Sequence, residues 1–157
     1  MPALKQARVE LLQSMPIFGG LGKQTLEFLI DLASIRHVEA GGYFFHEGDD
    51  ATSMFVLERG RVVVTKLWDG KPHPIKHLGQ GDCFGEMALL DLYPRSASVI
   101  AEDPCDAIEL GQDILLKLCL HNIEQFTIIQ MNIGREISRR LRTADHQLFR
   151  ARFSPKR

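Results

Sequence analysis

Cysteine is scarce in this sequence and unpaired. Cys83, Cys105 and Cys119 are odd in number, lie far apart, and show none of the close spacings of zinc sites or redox dithiols. Buried, reduced thiols are the expected state. No apolar run approaches the roughly 20 residues that cross a bilayer, and the N-terminus has no apolar core behind a basic stretch, so no membrane span and a cytoplasmic location are expected. Histidine occurs at positions 37, 46, 73, 77, 121 and 146 without a His-x-His pair. His73 and His77, four apart on an expected strand, share a face but sit too far apart for easy chelation, and no metal is expected. There is no Gly-x-Ser-x-Gly elbow and no Walker loop, so the usual signs of hydrolysis are missing. No catalytic residue is assigned, and the chain is not expected to be an enzyme.

What is present fits one domain over residues 1–157: 45% of residues are hydrophobic and 25% charged, as in ordinary globular proteins. The net charge of −1 hides an asymmetry. Residues 1–134 carry 11 basic and 18 acidic side chains, a balance of −7, whereas 135–157 carry 8 basic and 2 acidic, a balance of +6. This basic stretch, with its tail at 151–157, suits either a solvated helix face or an anionic partner.

The apolar period changes twice. Residues 1–34 read as two helices, about Leu4 to Met15 and Lys23 to Ser34, around the glycine-rich turn at Gly19-Gly20. From 35 to 110, short apolar runs are broken by turn signals at Gly41-Gly42, Gly48-Asp49-Asp50, Gly60, Asp69-Gly70, Gly79-Gln80-Gly81 and Asp103-Pro104. That is the pattern of an antiparallel barrel or sandwich, with strands expected at Ser53 to Glu58, Arg61 to Leu67, Pro74 to Leu78, Ser96 to Ala101 and Cys105 to Leu110. Over 111–150 the period is helical again: a short helix at Asp113 to Leu120, then a long one from Ile123 to near Phe149. The latter carries a narrow seam at Phe126, Gln130, Ile133, Ile137, Leu141, Ala144 and Leu148. A seam of this kind closes over the barrel or pairs with a second copy.

One segment, residues 84–98, breaks the strand pattern. Gly85 interrupts it, Glu86 to Leu90 is helix-prone, the chain turns at Tyr93-Pro94, and Arg95 leads back into a strand. A single helical turn between strands offers free N–H groups, here of Met87, Ala88 and Leu89, whose dipole favours an anion. Gly85 permits close approach to the backbone. Arg95 brings a planar guanidinium able to hold two phosphate oxygens. Glu86 repels a phosphate, so it is read as the acceptor for a hydroxyl elsewhere on the ligand. An anion site with one hydroxyl acceptor suits a nucleotide better than inorganic phosphate.

The stretch FGEMALLDLYPRSAS closely resembles the phosphate-binding cassette of the cyclic nucleotide-binding domain family: a Phe-Gly-Glu start, a small hydrophobic run and a Pro-Arg-small-Ala end. The likeness extends to the glycine corners at 48, 60, 79 and 81 and to the flanking helices. It implies an eight-stranded antiparallel β-roll, a double-stranded jelly roll, with N-terminal helices and a long C-terminal helix. It also implies that Glu86 meets the ribose 2′-hydroxyl, Arg95 the exocyclic phosphate oxygen, and the amides of Met87, Ala88 and Ala97 the other phosphate contacts. By the same resemblance Gly85 leaves room for the sugar and Val64 packs on the base. Ser96 stands where members that prefer cyclic GMP carry a threonine, but members with Arg-Ser-Ala accept cyclic AMP, so cyclic AMP is favoured over cyclic GMP.

Three other readings compete. A cupin-like enzyme would need the metal-binding His-x-His pair. A transcription regulator of the catabolite activator type would need a helix-turn-helix after the long helix, where the sequence leaves no room, so sequence-specific DNA binding is not expected unless the chain is a fragment. A degenerate, purely structural roll would bind no nucleotide. The favoured expectation is a non-catalytic sensor that takes a cyclic nucleotide as ligand, needs no cofactor, and signals through its C-terminal helix. The output is either a homodimer through Ile133, Ile137, Leu141 and Leu148 or an unidentified effector protein.

Overall fold

In the computed structural model, which describes residues 2–155, the period-2 runs become eight strands between two sets of helices. Helix α1, Pro2–Gln13, leads through a 3₁₀ turn at Pro16–Phe18 into α2, Lys23–Leu32. The strands are β1 Ser34–Val38, β2 Tyr43–Phe45, β3 Ser53–Arg59, β4 Val62–Trp68, β5 Lys71–Leu78, β6 Cys83–Phe84, β7 Ser98–Ala101 and β8 Cys105–Gly111. Helices α3, Gln112–His121, and α4, Ile123–Phe153, complete the order. All pairings are antiparallel, in two four-stranded sheets ordered β1-β8-β3-β6 and β2-β7-β4-β5. This is the eight-stranded jelly roll expected from the sequence.

Local chemistry explains where boundaries moved. Asp69 and Gly70 both have positive φ, 53° and 72°, as a two-residue hairpin turn demands, so pairing starts at once with Trp68 opposite Lys71 rather than at Pro74. The prolines at 72 and 74 are tolerated because β5 is an edge strand. α2 stops before Ser34, which already pairs with Glu109 in the sheet. β7 begins at Ser98 instead of Ser96, because Arg95 exchanges backbone hydrogen bonds with the Gly48-Asp49 turn: its N–H donates to Asp49 O and its carbonyl accepts from Gly48 N, both at 2.8 Å.

Strand β3 divides two cores by its alternation. Phe55 and Leu57 face the roll interior with Phe44, Val62, Phe84 and Val99, while Met54 and Val56 face the helices with Leu12, Leu26, Leu118, Ile129 and Ile133. The α4 seam read from the sequence is corrected here. The buried stripe runs through Ile129 rather than Gln130, and Ile133, 0% exposed, is spent in the chain's own core with Ile137 packed against it. Only Leu141 and Leu148 of the expected dimer residues are exposed. The first part of α4 is pinned by the Asn132 side-chain amide, which donates to Ile17 O at 2.9 Å and Gly19 O at 2.8 Å. Among the described residues no helix is long and apolar enough to cross a membrane.

Candidate functional site

The route out of β6 builds the site. After Phe84 the backbone enters the left-handed region at Gly85, φ 75°, then makes a 3₁₀ turn over Glu86–Leu89 and returns past Pro94 to β7. The turn and the return enclose a cavity of about 430 Å³ against β4 and β5. Gly85, Glu86, Met87, Ala88, Arg95, Ser96, Ala97 and Val64 all line it, whereas Leu89, the third amide read from the sequence, does not.

Arg95 is buried, 8% exposed, and its guanidinium is clamped between backbone and ring. Nη2 donates to Ser53 O at 2.7 Å and Nη1 to Gly85 O at 3.4 Å, while the guanidinium carbon lies 3.9 Å from the centre of the Phe45 ring. Nε is buried and has no partner. Burial lowers the pKa of Arg95, against the opposing fields of Glu109, Asp49 and Glu86. No carboxylate among the described residues forms an ion pair with it: Asp82 accepts from Gly79 N and Asp91 from Tyr93 N. The result is a rigid, buried cation in the wall of the cavity.

Gly85 makes room for Arg95: a Cβ at that position would lie 2.6 Å from Nη1. One expectation changes. The 3₁₀ geometry uses one of the three amides, since Ala88 N–H donates to Gly85 O at 3.2 Å. The turn is braced from outside by Gln112, whose amide donates to Ala88 O.

Glu86, 2% exposed, does not cap its own turn. Its Oε1 accepts from Nη1 of Arg140, on α4, and Arg140 also lines the cavity. Sequence reading missed Arg140, counting it only within the basic stretch 135–157. The signal was its place seven residues after Ile133, on the same helix face. Lys76 was missed as well: it pairs with Val64 across β4 and β5 and lines the cavity beside it. Cys83 lines the cavity as a thiol pushed up to about 12, first by burial and then by the Glu86 charge. No group of three metal-ligating side chains exists among the described residues.

A roll interrupted by this turn and this arginine defines a class of small-ligand binding domain. A family model described as cyclic nucleotide-binding domain matches residues 35–122, and the chain belongs to that family. It is 36% identical over 104 residues to human cGMP-dependent protein kinase 2, covering 62% of this chain and 14% of the kinase. It is 28% identical over 138 residues to the cyclic AMP receptor protein of Thermus thermophilus, covering 87% of this chain and 62% of the receptor. Among solved structures, the catabolite activator protein of Thermus thermophilus aligns with a TM-score of 0.79 at 28% identity, over 88% of this chain and 64% of that one. The regulatory domain of Toxoplasma gondii PKA, crystallised with cAMP, aligns with a TM-score of 0.71 at 32% identity, over 74% and 45%. The chain thus spans less than two thirds of each of these relatives.

Proposed function

We propose that the chain is a non-catalytic sensor of cyclic AMP, with cyclic GMP the weaker ligand, and that occupancy is passed on through α4. The observation that carries this reading is Arg95, a buried guanidinium with an unpartnered Nε and no ion-pair partner among the described residues, in the wall of a cavity that Glu86 also lines. A cyclic phosphate supplies the missing counter-charge, and a ribose hydroxyl can donate to Glu86. The amides of Met87 and Ala97 are free to contribute, whereas that of Ala88 must first leave Gly85 O. Ligand binding then stabilises the fold by mass action.

The test is calorimetric titration with cyclic AMP, cyclic GMP and 5′-AMP. A charge-assisted contact is worth about 1.5–3 kcal/mol, so Arg95→Ala should weaken cyclic AMP binding by about 10- to 100-fold. Unchanged binding would remove the assignment, and no binding by the unmodified chain would leave a structural roll. A second reading, preference for cyclic GMP, is favoured by Lys76 beside Val64 and by the Ser96 hydroxyl at the cavity. An ammonium only donates, and guanine O6 and N7 are both acceptors. Tighter binding of cyclic GMP, lost in Lys76→Met, would establish it. For the output we propose a homodimer through the exposed part of α4 at Leu141 and Leu148, or an effector protein at the same surface.

A further inference from the structure

Beyond Ile137, α4 leaves the core, and every side chain from Leu141 to Ser154 is exposed. Among the described residues, the hydrogen bonds and ion pairs that tie this stretch to the roll reduce to one, Arg140 to Glu86. Arg140 is also the single α4 side chain, among the described residues, that lines the cavity. Its own helix pre-aims it: Glu136 lies 3.5 Å from Arg140 Nε through its Oε1 and pairs with Arg139 through its Oε2. Upstream, Ile129, Asn132 and Ile133 are fixed in the body of the molecule. The stretch between is short, and eight helical residues rise only about 12 Å. Gly134 within it has nothing within 4 Å of a Cβ position, so no packed side chain stiffens that point.

From this arrangement we propose that Arg140 is a latch that competes with the ligand for Glu86, so that closing the cavity on a nucleotide and releasing the distal part of α4 are one event. The inference rests on the nucleotide reading of the cavity. Its physical basis is the burial of Glu86. A buried carboxylate stripped of its cation is strongly penalised, so Arg140 holds the helix firmly while it is the partner. A sugar hydroxyl replaces the hydrogen bond but not the charge. The phosphate on Arg95, drawn into the same cavity, supplies the free energy for the exchange. Because ligand and helix want one acceptor, each weakens the other by the same factor, which is the differential affinity that a relay requires.

The latch is tested on the full chain in two arms. Without nucleotide, amide hydrogen exchange over residues 138–149 should accelerate at least about threefold in Arg140→Gln and in Glu86→Gln, with residues 126–134 unchanged. Arg140→Lys, which keeps a cation, should fall between. With nucleotide, Arg140→Gln should bind cyclic AMP about tenfold tighter, the factor recovered when a 10:1 bias toward the latched form is removed. The gain should shrink for 2′-deoxy cyclic AMP, which does not contend for Glu86. Unchanged exchange overturns the latch whatever the chain binds. Weaker cyclic AMP binding by Arg140→Gln overturns the competition, since Arg140 would then be a ligand contact. An unmodified chain that binds no cyclic nucleotide overturns the nucleotide reading and the competition with it, while the exchange arm still decides the latch.

Discussion

At Gly85 two requirements meet in one residue: a φ of 75° and an Arg95 guanidinium 2.6 Å from where a Cβ would stand. A side chain here would be penalised twice, by about 1–2 kcal/mol for the left-handed backbone and again by displacing Arg95 from its two carbonyls. Gly85→Ala should therefore lower both unfolding free energy and cyclic nucleotide affinity, measured by urea denaturation and calorimetry; loss of stability with unchanged affinity would show that Arg95 can relocate freely. That Glu86 and Arg95 line one cavity was legible because both lie within one short segment with recognisable turn chemistry. The Arg95–Gly85 approach was not, since a glycine in a turn says that space is needed without saying what fills it. Nor was the bond between Arg140 and Glu86, 54 residues apart in sequence, because a basic side chain on an amphipathic helix looks the same whether it meets water or a buried carboxylate.

Elements with a strong local code were read well, and those defined by their partners were not. The turn at Asp69-Gly70 and the limits of β3 follow from turn residues and alternation, but β2 and β6, of three and two residues, exist only through pairing with β7 and β3. In α4 the heptad-like spacing gave a seam in the wrong place, because the body of the molecule selects Ile129 and Ile133 as the inner face. Ile133→Ala should cost about 2–5 kcal/mol in chemical denaturation, independent of protein concentration, as expected of a core residue. Strands β1, β3 and β8 are joined on their outer side by Asp106, which accepts from His37 and from Arg59, the latter at 2.8 Å. The His37 hydrogen bond first, and Arg59 next, hold its carboxyl below the usual range. A depressed carboxylate adds stability above its unfolded pKa, about 3.9, and that contribution is lost as the pH falls through the lower folded value. Thermal melts from pH 6 downward should therefore fall less steeply below about pH 4 in Asp106→Asn than in the unmodified chain.

For the molecule as a whole, charge and apolar surface converge on the distal part of α4. Leu141, Leu148, Phe149 and Phe153 are exposed on a helix that also carries most of the basic excess of residues 135–157. A homodimer through this surface should appear in analytical ultracentrifugation and dissociate in Leu148→Glu without loss of folding; a monomer at every concentration, with and without cyclic AMP, would leave effector docking as the output. The near end of the helix is held out of that motion. By gripping the carbonyls of Ile17 and Gly19, Asn132 anchors α4 to the turn between α1 and α2 across 115 positions of sequence. A dye carried on α1 should therefore stay silent while one carried on the distal part of α4 reports an event in the pocket.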